Sequence, residues 1–331
     1  MKTTTIVNQW TCRFALAGIT LIGLSASAQE VESLNSGANS PSTDEPMQTV
    51  DANGRLPITV FLGGAEQFKS DIDKNDAGSL SISRAMVGVK VPFRFNENFT
   101  LNTTVRYGLD YFDFTDTPGN FSPWKYINTL SAASVLTWKP DDSNWSYYGG
   151  GFVRMSAESG VSLNRAANGG GLAGVSYKFS DTLSLGAGLA VMSQLEDDAK
   201  VLPLITAKWQ FADNWVLSAG LTDVATIGYG AEVKWLFSKE WDFAAGVQFH
   251  KSRFRINGDS AIGTQNGIGT EEASAVYLSS TWHASDKVDL GAFIGAAGGG
   301  KLKLADSSGN HEQSVDYKTA AILGVRASLK F

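Results

Sequence analysis

The chain has 331 residues, with 27 basic and 33 acidic side chains and a formal net charge of −6. It contains 35 glycines, 9 tryptophans, 9 tyrosines and 18 phenylalanines, but only 8 prolines and one cysteine. This composition does not suit a small disulfide scaffold or a disordered tail, and it is typical of a large all-β protein. The acidity argues against nucleic acid as a partner.

The N-terminus has the pattern of a secretory signal peptide. Lys2 and Arg13 precede the apolar run "FALAGITLIGL", and Ala26-Ser27-Ala28 offers a small-residue cleavage site. The run is too short to span a bilayer as a helix. We therefore expect residues 1–28 to be removed on export.

The mature chain then has no thiol, because Cys12 lies inside the leader. Removing Lys2 and Arg13 leaves 25 basic against 33 acidic residues, a net charge of −8. Residues 29–54 are polar, lack aromatics and hold five acids with no base, which predicts a disordered acidic periplasmic extension. We hypothesise that this extension occupies the periplasmic mouth of the folded part, residues 55–331.

The folded part alternates apolar and polar residues with a period of two, which is typical of β-strands. Fourteen stretches show this alternation, among them 56–63, 83–95, 215–222, 241–251 and 274–284. Short polar turns, such as "NEN" at 96–98, alternate with longer connections. This pattern predicts an all-β fold, a transmembrane up-and-down antiparallel β-barrel of about 14 strands. Twelve strands are the alternative, because 215–222 is weakly marked.

Aromatic residues crowd beside the short turns, as in the periplasmic girdle of a membrane barrel. The girdle tryptophans are Trp138, Trp145, Trp209, Trp215, Trp235, Trp241 and Trp282. The terminal Phe331 falls in the outward row of the last strand. It resembles the C-terminal aromatic signature of Gram-negative outer-membrane barrels, which implies recognition by the barrel assembly machinery.

The opposite row of each strand predicts a basic lumen. A ring at the periplasmic mouth is formed by Arg94, Lys139, Lys178, Lys208, Lys234, His283 and Lys330. Deeper positions add Arg84, Lys90, Arg106, Arg154, Lys318 and Arg326, against only four acids: Asp110, Glu232, Asp242 and Asp289. A wall lined mainly with one sign of charge concentrates counter-ions, so the lumen should favour anions. The alternative is an ion-paired plug that conducts nothing.

The sequence gives few indications of an enzyme. The three histidines are His250, His283 and His311, and His250 has no recognisable Ser or Asp partner in the sequence. We expect no catalytic residues and no cofactor. The stretch "SDIDKNDAGS" begins like a calcium loop, but position 76 is Asp where the motif needs Gly, so we expect no metal site.

Two features do not fit the strand pattern. Pro92 removes a backbone donor inside a predicted ladder, and we interpret it as the mark of a bulge. In the stretch that begins at Trp241 the apolar phase changes after Phe249, since Phe254 and Ile256 follow on the other parity. A bulge or the membrane boundary would explain this change.

The stretches "DDAKVLPLITAKWQFADNWVLSAGL" and "GAEVKWLFSKEWDFAAGVQFHKSRFRI" resemble a family of predicted outer-membrane barrels that has no assigned function. The likeness is best over residues 180–256 and is diffuse over 55–331. Its marks are Pro203, the pair Trp209 and Trp215, and "FRI" at Phe254. The resemblance implies a porin-like barrel and nothing about a substrate.

These observations predict a passive pore for small anionic solutes in the outer membrane of a Gram-negative bacterium. Its expected partners are lipid, lipopolysaccharide, the assembly machinery and the solute. The alternative is a non-conducting structural or adhesive barrel that acts through its external loops. A lipid hydrolase that uses His250 is a third hypothesis.

Overall fold

The computed structural model describes residues 56–73, 78–118, 122–222, 228–257, 266–310 and 313–331. The predicted signal peptide and the acidic extension 29–54 lie outside the described residues. Within the described chain, no helix has the length and apolar character needed to span a bilayer.

The described residues form 15 strands and one short 3-10 helix, Leu163–Ala166. The strands are β1 Thr59–Asp71, β2 Ser79–Arg94, β3 Phe99–Thr115, β4 Tyr126–Trp138, β5 Trp145–Glu158, β6 Ala167–Ser180, β7 Leu183–Gln194, β8 Asp197–Ala212, β9 Trp215–Thr222, β10 Gly228–Leu236, β11 Trp241–Arg255, β12 Ile268–Ser285, β13 Val288–Ala305, β14 Gln313–Tyr317 and β15 Ala320–Lys330. β14 and β15 are two parts of one barrel strand, so the barrel has 14 strands, as the alternation predicts.

With β14 and β15 taken as one strand, each strand pairs antiparallel with its neighbours in the chain, and the last strand pairs with the first. β1 and β15 are in register from Thr59↔Lys330 to Gln67↔Ile322. Ile58 and Phe331 continue this seam through two backbone hydrogen bonds of 2.9 and 3.2 Å. Closure pairs the first strand with the last, which a β-structure must do to cross hydrocarbon. The predicted all-β antiparallel barrel is confirmed.

Side chains alternate between lumen and exterior along each strand. In β2 the even-numbered residues Ile82 and Gly88 are buried. The odd-numbered residues Val87 and Phe93 are about half exposed, at 47% and 51%. Exposed apolar side chains continue around the barrel, for example Leu130, Leu189, Ile205, Leu278, Ile294 and Val325. The exterior is thus an apolar band, the surface that a bilayer requires.

The strands extend further outward than the sequence pattern predicts. β1 runs to Asp71 rather than 63, and β12 begins at Ile268 rather than 274. The backbone ladder continues through polar residues, with Gln67 paired to Ile82 and Ser70 to Leu80. Alternation of hydrophobicity marks only the part of a strand that faces lipid, so it ends before the hydrogen-bonded ladder does.

The interpretation of Pro92 as a bulge is wrong. The β2–β3 register passes through Pro92↔Asn102 and Phe93↔Leu101 without a shift. The apolar phase change in β11 is not a bulge either, because its register with β12 is continuous from Trp241 to Arg255. Phe254 and Ile256 keep the inward parity and are fully buried inside the barrel.

The alternation of inward and outward side chains shifts by one position between β14 and β15. Tyr317 is buried inside the barrel, and so is Ala320, whereas Lys318 and Thr319 between them are exposed. The prediction of Lys318 as a lumen residue is therefore wrong: it lies on the outside, where its Nζ is 3.2 Å from Asp71 Oδ2. The reason is that Lys318 and Thr319, between the two strands, interrupt the regular alternation.

Candidate functional site: the barrel lumen

Four arginines meet at a central cavity of about 80 Å³. Its lining includes Arg84, Arg106, Arg154, Arg326, His250 and Asp110, which are contributed by five different strands. Three of the basic side chains are held in place by further contacts. Arg106 lies 5.3 Å from the ring centre of Phe61, Arg154 donates to Ser252 Oγ at 2.8 Å and Arg326 to Thr281 Oγ1 at 2.8 Å. The cavity therefore carries an excess of fixed positive charge.

Glu271 lies at the outer side of this cavity and is fully buried. Its carboxylate is 3.1 Å from Arg84 Nη2 and 2.6 Å from His250 Nε2, and it accepts a hydrogen bond of 3.0 Å from the Tyr317 hydroxyl. Arg84 also contacts Asp110 at 3.2 Å. A carboxylate without solvent needs such partners to remain ionised. The network joins five strands across the lumen, β2, β3, β11, β12 and β14.

A second cavity, of about 270 Å³, lies on the short-turn side of the first. His283 bridges two carboxylates there, with Nδ1 at 2.7 Å from Asp289 and Nε2 at 3.1 Å from Asp242. Lys330 also contacts Asp289, at 3.1 Å. Lys234 and Arg326 complete the charged lining. The lining of this second cavity therefore carries both signs of charge, whereas the central cavity is lined mainly by arginines.

The other residues of the predicted basic ring lie at inward positions next to the short turns. Arg94 and Lys139 are exposed at the rim, and Lys178 and Lys208 are half-buried. Lys178 contacts Asp181 in the adjacent turn at 2.9 Å. The hydrogen bond and charge of this lysine lower the pKa of the Asp181 carboxyl. Lys90 occupies the inward row of β2, between the rim and the central cavity.

Above Glu271 the lumen is filled by an apolar cluster, which we call the outer cluster. Its buried members are Ile72, Leu80, Ile82, Phe112, Trp124, Ile127, Phe254, Ile256, Leu302, Leu304 and Tyr317. Trp124 and Phe254 are at its centre, with ring centres 5.1 Å apart, and Phe112 packs against both rings. Residues from strands on opposite walls meet here, so the outer cluster closes the lumen in this structure.

The outer end is also covered by backbone. Arg255, at the end of β11, forms a parallel bridge with Ala157 of β5 on another wall of the barrel. Its guanidinium donates to the carbonyl oxygens of Arg165 and Asn266, at 3.2 and 2.9 Å, and to the Glu196 carboxylate. One buried arginine thus links three strand connections above the outer cluster, those between β5 and β6, β7 and β8, and β11 and β12.

Glu158 strengthens the same cover from the end of β5, beyond the apolar band. Its two carboxylate oxygens accept hydrogen bonds from the backbone N–H of Lys125 at 2.9 Å and of Asn257 at 2.8 Å. Burial raises the pKa of this carboxyl, and the two backbone hydrogen bonds oppose the rise. Glu158 therefore holds the start of β4 and the end of β11 together.

Sequence reasoning missed Glu271, the outer cluster, and the contacts of Arg255 and Glu158 that cover this cluster. Glu271 lies before position 274, where the alternation predicts that its strand begins, so the pattern predicts a loop there. The signal for the outer cluster was present in part, because apolar residues enter the inward row at the outer strand ends. Leu80 and Ile82, Phe112 and Phe114, and Leu302 and Leu304 all follow this pattern.

The predicted girdle residues lie on the exterior at the short-turn end. All seven tryptophans are between 37% and 45% exposed. Many of them stack across strands, with ring centres 5.8 Å apart for Trp215 and Trp235 and 6.1 Å for Trp241 and Trp282. Phe331 is 70% exposed beside this belt. Partly exposed aromatic rings at one level are typical of a membrane–water interface.

A closed antiparallel barrel with an apolar exterior and an aromatic girdle defines a transmembrane β-barrel of the outer-membrane type. No protein-family model matches the chain, and no curated protein matches it. Solved structures with a similar fold are a FadL homologue of Pseudomonas aeruginosa, the NanC porin and the toluene transporter TodX of Pseudomonas putida. Their TM-scores are 0.47, 0.36 and 0.35, and their identities 10%, 10% and 9%.

The alignments with these structures cover 82%, 82% and 83% of this chain and 90%, 100% and 89% of the other chains. This likeness concerns the barrel as a whole. At such identities it carries no information about the lumen residues described above.

Proposed function

We propose that this protein is an outer-membrane channel that binds and passes small anionic solutes through its basic lumen. The observation that carries the proposal is the central cavity, where Arg84, Arg106, Arg154 and Arg326 line a space of about 80 Å³ with one aspartate among them. Fixed charge inside a low-dielectric wall concentrates ions of the opposite sign. The cavity volume suits a small anion.

The outer cluster is then the closed gate of the channel. Phe254 and Trp124 fill the middle of the lumen, and the bridge between Arg255 and Ala157 holds the end of β11 over them. An apolar constriction excludes ions because it offers them no polar contacts. Passage of a solute therefore requires the end of β11 to move.

The experiment is a reversal-potential measurement in planar bilayers under a salt gradient. We expect the wild-type protein to conduct weakly, and Phe254→Ala to conduct more with anion selectivity, because this change removes the central ring of the gate. Adding Arg106→Gln, Arg154→Gln and Arg326→Gln to that variant should shift the reversal potential toward the cation value. Lys69→Gln removes the same type of charge from an exposed ion pair outside the lumen and serves as the control.

Retained heat-modifiable mobility in electrophoresis shows that each variant is folded. A folded Phe254→Ala barrel without conductance would contradict the channel. An open pore whose selectivity ignores the three lumen arginines would contradict the assignment to anions.

The second candidate is a closed structural or adhesive barrel that works through its external side. The packed outer cluster and the cover above it favour this alternative, and the absence of conductance in Phe254→Ala would support it. The hydrolase hypothesis has less support. His250 is buried inside the barrel against Glu271, where a lipid ester at the external loops does not reach it.

A further inference from the structure

The central cavity is open at a position where the barrel wall has no side chain. Gly108 lies in the inward row of β3, between Arg106 and Asp110, and lines the cavity. Apart from its chain neighbours, a Cβ atom at Gly108 would meet no heavy atom closer than 3.8 Å, the carbonyl oxygen of Ala85. The wall here is bare backbone that faces open space.

Other glycines near the cavity are covered by side chains of the protein. A Cβ atom at Gly88 would overlap the ring of Phe61, which lies across this glycine. A Cβ atom at Gly63 would stand 3.1 Å from the terminal methyl group of Met86. These two glycines make room for a neighbouring residue. The room beside Gly108, in contrast, is left open by the described residues.

Met86 forms an apolar part of the cavity lining. Its backbone pairs with Gly63 on one side and with Gly108 on the other. Its side chain extends over Gly63, and this direction leaves the space above β3 free. Phe293 of β13 adds a buried ring to the same lining. A thioether and a phenyl ring both make favourable contacts with an aromatic or aliphatic group.

Guanidinium groups surround this apolar part. Arg106 is the inward neighbour of Gly108 on β3. Arg84 is the inward neighbour of Met86 on β2. Arg326 of β15 lines the same space. Because the planar fork of a guanidinium matches the two oxygens of a carboxylate, the cavity combines an apolar surface with donors that suit an organic acid.

The cavity has room for a small organic molecule. Its volume is about 80 Å³. One water needs about 10–15 Å³ on the same measure, so a solute of several heavy atoms fits beside Gly108. Met86 and Arg326 also line the second cavity, which lies toward the short turns. A solute therefore reaches the site from the short-turn end of the barrel.

We propose that the central cavity binds a small carboxylate with an apolar body, of which benzoate is an example. The apolar body lies over Gly108 and against Met86 and Phe293, and the carboxylate contacts the guanidinium groups. An inorganic anion such as phosphate uses only the charged part of this lining. The inference rests on the proposed anion channel and names the class of solute that the channel takes.

The experiment is isothermal titration calorimetry of the folded full chain in detergent micelles, with protein-free micelles as the blank. The probes are benzoate, acetate, benzamide and phosphate. Acetate has the carboxylate without the ring, benzamide has the ring without the charge, and phosphate has charge without an apolar body. We expect benzoate to bind at least about tenfold more tightly than each of the others, because benzoate alone uses both parts of the lining.

Gly108→Val fills the open space without changing any charge, and valine is well suited to a strand. We expect this variant to bind benzoate about tenfold more weakly than the wild type. Gly149→Val is the matched control, because Gly149 lies in the outward row of β5 and has similar room. A Cβ atom there would be 3.7 Å from the nearest heavy atom, the carbonyl oxygen of Leu172. We expect the control to bind benzoate like the wild type.

Equal affinities for benzoate and acetate would overturn the proposal, and so would tighter binding of phosphate than of benzoate. Unchanged benzoate binding in a Gly108→Val barrel that retains heat-modifiable mobility would also overturn it. The comparison of the four probes on the wild-type barrel does not depend on that variant. An anion-selective Phe254→Ala pore without a preference for benzoate would contradict only the apolar body, whereas a pore without anion selectivity would contradict the channel itself.

Discussion

Glu271→Gln is expected to lower the free energy of unfolding by about 3–5 kcal/mol, the effect of removing one partner from a buried ion pair. Glu271 has no solvent exposure and contacts Arg84, His250 and Tyr317 from three other strands. Glutamine preserves the shape but leaves the Arg84 guanidinium without one of its two carboxylates. The loss acts on the whole barrel, because the network ties opposite walls together.

Denaturant unfolding of the protein in vesicles, followed by tryptophan fluorescence, measures this difference. Glu240→Gln is the matched control, because Glu240 lies exposed in a short turn and accepts a hydrogen bond from Ser238 Oγ at 2.9 Å. We expect the control to change stability by less than about 0.5 kcal/mol. A similarly small loss for Glu271→Gln would show that the network does not hold the walls together.

The second large effect is expected for a charge on the exterior. Leu189 stands in the middle of β7, faces outward and is 57% exposed. Replacing it with arginine should cost about 2–4 kcal/mol in vesicles, because the guanidinium would lie in hydrocarbon near the bilayer midplane. The same unfolding measurement applies, and Leu189→Met retains the apolar surface as a comparison.

Ser162→Arg adds the same charge to an external connection outside the band and should have little effect. If Leu189→Arg and Ser162→Arg were equally stable, the exterior would not face lipid. In a water-soluble barrel an arginine at an exposed position costs almost nothing, so this pair of variants separates the two environments.

Local rules account for much of the fold. The period-two alternation located all 14 barrel strands, because neighbouring side chains on a strand must point to opposite faces. The turns "NEN" and "SDK" ended strands within a residue or two of their observed limits. The girdle tryptophans marked the short-turn end of the barrel, since each of the seven lies at that end of its strand.

Other features depend on which residues meet across the lumen. Arg84, Glu271 and His250 are separated by up to 187 residues, and their contact follows from the tilt and register of the strands around the barrel. No short stretch of sequence encodes that register. The same reason explains why the outer cluster could be noticed only as isolated apolar residues on the inward row.

The sequence by itself determined the strand number, the two faces and the level of the girdle, because these follow from the geometry of one strand and its turn. Only the tertiary structure decided which inward charges pair and where the lumen closes, because both require strands far apart in the chain to be brought together by closure of the barrel.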